Sequence, residues 1–298
     1  MSNCRQIRYV LISPVKDEEN YIASTIESVL SQSILPEKWI IVDDGSSDNT
    51  KDVIEKYCGE FSWVKLICLK RDRERMPGPA VINAFNVGYD EVKSEQFEYI
   101  VKLDGDLKFG MDYFENLIKK FMENRLLGIA SGVYYEQNGN AWVSIPMPTY
   151  HAAGASKVIR RKCFEDIGGF VLSRGWDTVD EIKAMIYGWE TRHYADIHFY
   201  HLKKEGSGIG NLRTNIMHGE IYYLTGGSRL FFLFKFAHRL LFGDLFLISG
   251  LFMLYGYFRF ALINKDRLVS KEEMRLYRGV LKRRITDKLS FIGGMRRS

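Results

Sequence analysis

The feature that most constrains this chain is a regular alternation, over its first 124 residues, of short apolar runs with segments of helical period. Strand signals cover Ile7–Ser13, Lys38–Val42, Val64–Leu69 and Tyr99–Leu103. Between them, Glu18–Gln32 carries apolar residues at 22, 26, 29 and 30, which is the spacing of one helix face. Val53–Tyr57, Ala80–Tyr89 and Tyr113–Asn124 continue the series. Strands joined by crossover helices pair in parallel, so the pattern predicts an α/β fold: a mostly parallel sheet with helices on both faces. In such sheets ligands bind beyond the carboxyl ends of the strands, which directs attention to the residues that follow each one.

Three of those strand ends are acidic. Pro14-Val-Lys-Asp-Glu18 follows the first, Asp43-Asp44-Gly45-Ser46 the second, and Lys102-Leu-Asp104-Gly-Asp106 spans the end of the fourth. Carboxylates gathered on one rim repel each other unless a cation or hydrogen-bond donors join them, so the arrangement points to ligand binding. Asp-x-Asp suits a divalent ion, because hard oxygen ligands hold Mg²⁺ or Mn²⁺ while its other positions grip a diphosphate. Taken singly, each motif also reads as a turn or a helix cap.

In this order, PVKDEE, VDDGSSD and KLDGD, with GPAVINAFNVG between the last two, resemble the inverting family-two glycosyltransferases of GT-A fold. The resemblance covers about residues 6–205. It implies a Rossmann-like sheet, a nucleoside-diphosphate sugar as donor and a divalent metal, Mn²⁺ or Mg²⁺. It places Pro14 and Glu18 along the nucleotide pocket, Asp44 facing the base, Asp104 near the ribose or metal, and Asp106 as the metal ligand. Two departures stand out. Lys16-Asp17 replaces the family's Tyr-Asn, and Ala84-Phe85-Asn86 replaces its Ala-Arg-Asn.

The family sets its general base after a Gly-Gly-Phe segment, ahead of a helix ending in Gly-aromatic. Here Gly168-Gly169-Phe170 is followed by Gly175-Trp-Asp-Thr-Val-Asp-Glu181 and a helical segment, Asp180–Tyr187, before Gly188-Trp189. By that resemblance Asp177 is the expected base, with Asp180 as the alternative one turn on. A capping role for Asp177 is the plainer reading of the same residues. His201 ends a strand signal at Ile197–Tyr200 and, by the same resemblance, is expected to complete the metal shell. The Lys203-Lys204 pair with Gly206–Gly210, and Lys70–Arg73, read either as flexible lids or as solvated surface charge.

The last third changes character. Leu230–Phe242 is apolar with Lys235, His238 and Arg239 interspersed, and Leu240–Phe258 has only Asp244 charged over nineteen residues. From Arg259 onward there are 12 Lys/Arg against 4 Asp/Glu, whereas the first 258 residues hold 30 against 33. A basic tail of this kind meets phosphate. A single bilayer crossing would carry that tail to the far side, against the positive-inside rule. An interfacial or re-entrant helical hairpin on an anionic membrane surface is therefore expected, with a buried helix pair or a homo-oligomer interface as the alternative. No nucleic-acid motif accompanies the charge, so nucleic acid is not an expected partner. Four scattered cysteines without a CxxC pair fit a reducing compartment, and the N-terminal apolar run is too short for a signal peptide.

The expected organisation is a GT-A domain over 1–225 and a membrane-associating helical tail over 226–298. The nucleotide-sugar half of the first covers about 1–110 and the acceptor half about 111–225. The expected function is metal-dependent, inverting transfer of a sugar to a lipid-linked saccharide or other membrane-borne acceptor, in surface-polysaccharide or glycolipid assembly. It would take place on the cytoplasmic face of the membrane, the protein being peripheral or monotopic. Transfer to polyprenyl phosphate and a silent sugar- or partner-binding role are the alternatives.

Overall fold

The computed structural model describes residues 7–70, 78–203, 210–242 and 246–295. Its elements run β1(Tyr9–Val15), α1(Ile22–Leu30), β2(Lys38–Asp43), α2(Thr50–Cys58), β3(Val64–Cys68), α3(Pro79–Asp90), β4(Tyr99–Leu103), β5(Leu107–Phe109), α4(Tyr113–Glu123) and β6(Leu127–Asn138). They continue with β7(Ala141–Ser144), β8(Ser156–Arg160), α5(Arg161–Asp166), α6(Trp176–Ile186), β9(Glu190–His201), α7(Asn211–Leu224), α8(Arg229–Phe242), α9(Ile248–Leu262) and α10(Lys271–Met295). The chain divides into two compact units, Met1–Leu172 with Tyr187–Glu205, and Ser173–Ile186 with Gly206–Ser298. The second thus takes in α6 and α7 as well as the helices beyond residue 225.

The first unit holds a sheet that, among the described residues, has nine strands in the order β3-β2-β1-β4-β8-β6-β9-β5, with β7 on β6. Its first four strands are all parallel, as the alternation predicts. The second half is mixed: β8 runs antiparallel to β4 and β6, while β9 runs parallel to β6. β1 is buried along its whole length and continues through Pro14 to Val15. α1 begins only at Ile22, because the residues before it turn to meet the loop after β2. Helix α4 packs Tyr113, Phe114, Leu117, Ile118 and Phe121 against the core. Each such side chain contributes about 1.5–3 kcal/mol of burial.

One irregularity positions the site. Along β6 and β9, Gly132 pairs with Tyr194, but Val133 pairs with His198, so three residues of β9 bulge out between them. The shifted register then sets Glu136 opposite His201. Gly132 permits the bulge, since a Cβ there would lie 2.6 Å from the Ile197 carbonyl oxygen and 3.0 Å from the Tyr113 ring. The Gly132 N–H donates to the Tyr113 hydroxyl at 3.2 Å, which itself donates to Ser156 Oγ at 3.0 Å. A short antiparallel pairing of β5 with β9, Leu107 to His201, brings the Asp104-Gly-Asp106 turn to the same place.

The helical unit is assembled by close backbone approach. A Cβ on Gly219 of α7 would sit 1.9 Å from the Met253 carbonyl oxygen, and one on Gly256 of α9 2.0 Å from that of Ile216. Such distances are open only to glycine, and they press α7 and α9 together. Among the described residues, no helix is long and apolar enough to cross a membrane.

Gly132→Ala is expected to cost about 1–3 kcal/mol in urea denaturation, because the new methyl meets backbone that must shift. Gly279→Ala, on α10 with nothing within 4 Å of a Cβ, is expected to be neutral or to stabilise by up to ~1 kcal/mol.

Candidate active site

β2, β1 and β4 lie side by side and parallel, so their carboxyl ends open on one edge. The first two loops there are stitched to each other. The Asp17 N–H donates to Ser46 Oγ at 2.9 Å, Ser47 N–H to Asp17 Oδ1 at 2.7 Å, and Glu18 N–H to Thr50 Oγ1 at 2.7 Å. Glu19 N–H donates to Asp48 Oδ2 at 3.1 Å, and Asn49 N–H returns a bond to Glu19 Oε2 at 3.0 Å. Lys16 crosses to the carbonyl oxygens of Asp44 and Gly45, at 3.2 and 3.0 Å. Asp17 adopts φ +53, a conformation that Asp and Asn tolerate best among residues with a side chain.

Much of this acidic stretch is therefore committed to the fold. Asp43 accepts from the Ser46 N–H and hydroxyl at 2.9 and 2.6 Å, and Asp48 accepts from the Thr50 N–H at 3.0 Å. The turn reading is right for these two. Pro14, Glu18 and Asp44 are buried at the strand ends, and Asp44 is anchored by its N–H on the Val15 carbonyl at 2.9 Å. Both Glu18 carboxylate oxygens accept from Lys203 Nζ, at 3.1 and 3.2 Å, and Lys203 also reaches the Asp17 carbonyl.

The third loop is held as tightly. Lys102 is buried and forms an ion pair with Asp104, while its Nζ also donates to the Gly154 carbonyl at 2.8 Å. Gly105 is a packing requirement: a Cβ would lie 2.9 Å from Val15 Cγ1 and 3.1 Å from Ile22 Cδ1. Thr25 of α1 locks the next residue, its hydroxyl donating to the Leu107 carbonyl at 2.9 Å. Desolvation and the neighbouring Asp106 carboxylate raise the Asp104 carboxyl above its ordinary range, against the opposing pull of Lys102.

Asp106 and His201 meet, with His201 Nε2 3.3 Å from Asp106 Oδ2. On the other side of the ring, Nδ1 lies 3.4 Å from Glu136 Oε1. Burial alone would lower the His201 pKa, but hydrogen bonding to Asp106 and Glu136 raises it to about 10. Protonated, the ring would offset the two acids; to ligate a metal it must give up a proton. Among the described residues no group of three or more His, Cys, Asp or Glu is arranged to hold a metal by itself. Asp106 and His201 offer one carboxylate and one imidazole, a donor set that suits Mn²⁺ when diphosphate and water oxygens fill the other positions. The carboxylate on the far ring nitrogen is the arrangement that orients a metal-binding histidine. Sequence reasoning singled out Asp106 and His201, which the fold brings together, but not Glu136 or the pairing of Lys203 with Glu18, because both depend on contacts between distant segments.

Asp177 and Asp180, the acids expected on the acceptor side, lie in the second unit. α6 starts at Trp176, which puts Asp177 in its first turn. Asp180 is only 2% exposed and its Oδ1 accepts from the Glu181 N–H at 2.7 Å. Glu181 is equally buried, whereas Asp177 is partly exposed. Nearby, burial and the charges of Lys235 and Arg239 lower the His218 pKa to about 3, with Asp177 acting in the opposite sense. Behind them, Glu220 pairs with Arg174 at 2.8 Å and Arg259 at 3.5 Å. Phe85, where the family carries Arg, is a core residue packed edge-on against Phe164 and Phe170. Lys204, residues 206–209 and Arg71–Arg73, read above as lid candidates, lie outside the described residues.

Glycosyl transferase family 2 matches residues 10–177, more than half of the chain. Glycosyltransferase GlyA of Streptococcus pneumoniae is 26% identical over 223 residues, covering 73% of this chain and 29% of its own length. Poly-beta-1,6-N-acetyl-D-glucosamine synthase of Staphylococcus epidermidis is 31% identical over 116 residues, 39% of this chain and 26% of its own. The chain therefore spans less than a third of either relative. Among solved structures, the mannosyltransferase PcManGT from Pyrobaculum calidifontis, in complex with GDP-Man and Mn²⁺, superposes with a TM-score of 0.57 at 15% identity. That match covers 92% of this chain and 79% of the other, and it speaks for the fold. With the strand-end motifs, the sheet order and the family match in agreement, this chain belongs to glycosyl transferase family 2 and is a glycosyltransferase of GT-A fold.

Proposed function

We propose that the protein carries out metal-dependent, inverting transfer of a sugar from a nucleoside diphosphate to a lipid-linked saccharide or other membrane-borne acceptor. The processes it serves are the assembly of surface polysaccharide or glycolipid. The observation that carries this reading is the meeting of Asp106, His201 and Glu136 beside the strand-end acids Glu18, Asp44 and Asp104. Asp44, with Pro14 and Glu18, receives the nucleoside, and Lys203 sets the position of the Glu18 carboxylate. Asp106 and His201 hold the divalent ion, which supplies positive charge to the departing diphosphate. Glu136 fixes the ring of His201, and Lys102 fixes Asp104 near the ribose.

On the acceptor side, Asp177 takes the proton from the attacking hydroxyl as the bond to the anomeric carbon forms. Partial exposure favours it over Asp180, whose oxygen is engaged by its own helix. A membrane-borne acceptor is supported by the apolar, cation-rich helical unit. Nucleotide sugars are cytosolic, so the proposed location is the cytoplasmic face of the cell membrane.

Calorimetric titration of UDP- and GDP-sugars with and without Mn²⁺ tests the donor site. One donor is expected to bind in a metal-dependent way, and Asp106→Ala to abolish that dependence; unchanged affinity in the variant would remove Asp106 from the site. Glu136→Gln keeps the shape but not the charge, and Mn²⁺ affinity measured by electron paramagnetic resonance is expected to fall about 10–100-fold. Asp177→Asn is expected to leave donor affinity near normal while transfer drops by about two to four orders of magnitude. The same loss in Asp180→Asn with normal Asp177→Asn would move the base one turn along α6.

A further inference from the structure

Helices α8 and α9 carry apolar side chains on faces that no described residue of their own unit covers. On α8 these are Leu230, Leu233, Phe234 and Leu241, at spacings of three, one and seven residues, which is one stripe of a helix. Ile248, Leu251, Tyr255, Phe258 and Leu262 form the corresponding stripe on α9. Leu233 is 58% exposed and Leu251 53%. The opposite faces are spent on internal packing. Phe232 stacks on Tyr257 at 4.4 Å between ring centroids, and a Cβ on Gly250 would lie 2.9 Å from the Leu240 Cα. Between the helices, Phe246 (65% exposed) precedes Leu247, which adopts φ +61 and donates its N–H to the Leu240 carbonyl at 2.9 Å.

The unit that carries the stripes is rich in positive charge. Lys265 is exposed just past the end of α9, and α10 exposes Lys271, Arg275, Lys282 and Arg283, whereas Lys235 lies over the Tyr222 ring and Arg259 pairs with Glu220. A soluble helix puts polar residues on its outer face, and contiguous exposed apolar surface of this extent marks a contact site. Apolar stripes on a unit that also exposes Lys and Arg, with an aromatic hydroxyl at Tyr255, have the composition of helices that lie in the headgroup layer. Charge decides between occupants. A second copy would bring like charge, since the chain from Arg259 onward holds 12 Lys/Arg against 4 Asp/Glu. An anionic bilayer instead supplies complementary charge together with an apolar interior.

We infer that the outer faces of α8 and α9, with the apex at Phe246–Ile248, are a monotopic docking surface for an anionic lipid bilayer. The apolar stripes enter the headgroup–acyl boundary and the unit's exposed cations stay with the lipid phosphates. This assignment does not depend on the chemistry proposed above, because it is read by lipid binding alone.

The test is flotation of the full chain with vesicles of phosphatidylcholine alone or with about a third phosphatidylglycerol. Wild type is expected to float with the anionic vesicles, more weakly with the neutral ones, and less in high salt. Leu233→Glu with Leu251→Glu is expected to lower partitioning about ten-fold or more, with circular dichroism unchanged. Leu262→Glu with Ile263→Glu, at positions 82% and 65% exposed, supplies a second variant that leaves the helix packing untouched, with a loss in the same direction. Wild type that stays unbound to both vesicles overturns the assignment, as does a folded variant of either kind that floats as wild type does. A lipid-free dimer in sedimentation that the first variant dissociates would reassign the face to self-association.

Discussion

Carboxylates collected at the end of a parallel sheet repel one another, and the site takes its form from how that repulsion is offset. Four of the acids are matched by a basic side chain: Asp104 by Lys102 of the same motif, Glu18 by the distant Lys203, and Asp106 and Glu136 by His201. The two lysines are themselves held by a further group, Lys102 by the Gly154 carbonyl and Lys203 by that of Asp17. A buried charge that loses its partner is costly, so the pairs fix one another's positions as firmly as the backbone does. A diphosphate adds still more negative charge to the same rim. On the proposed reading, a divalent ion held by Asp106 and His201 would offset that added charge.

The half of the fold built from local pattern was legible in the sequence. β1 to β4 and α1 to α4 each follow from an apolar run or a helical period, and the residues at their ends include the acids that carry the site. What escaped was set by distant contacts. β5 is only three residues long, and β8, Ser-Lys-Val-Ile-Arg, looks half polar in sequence although its Ser156 and Lys157 are buried. Glu136 occupies the end of a twelve-residue strand and carries no motif of its own. Its place beside His201 comes from the three-residue bulge at Gly132, which only the paired strands display. Had the register of Gly132 with Tyr194 continued, Glu136 would have faced His198.

The acidic loop after β2 shows how two readings of one motif can both hold. Asp43 and Asp48 make the turn and the helix entry, as their residue types suggest. Asp17 and Glu19 bind the same loop from the other side, and this mutual fastening sets where Glu18 and Asp44 come to rest. The Lys16-Asp17 departure from the family pattern fits that role. Lysine bridges the two loops through backbone carbonyls, and the left-handed conformation at Asp17 is one a short polar side chain tolerates.

The C-terminal helices follow a different logic, in which the absence of periodicity is the signal. α9 is apolar around most of its circumference, so no single face announces itself in the sequence. The structure divides that circumference in two. Glycines 219 and 256 let α7 and α9 approach until main chain meets main chain, which occupies the inner face. The outer face keeps Leu251, Tyr255, Phe258 and Leu262 beside Arg259. Packing explains the inner residues and would be satisfied with polar residues outside. Among the described residues nothing in the unit packs on that apolar exterior, and the proposed docking to an anionic bilayer would give it an apolar surrounding. Fifteen residues that resemble the core of a membrane span thus divide into two surfaces back to back, an inner one packed on α7 and an outer one left for such a contact.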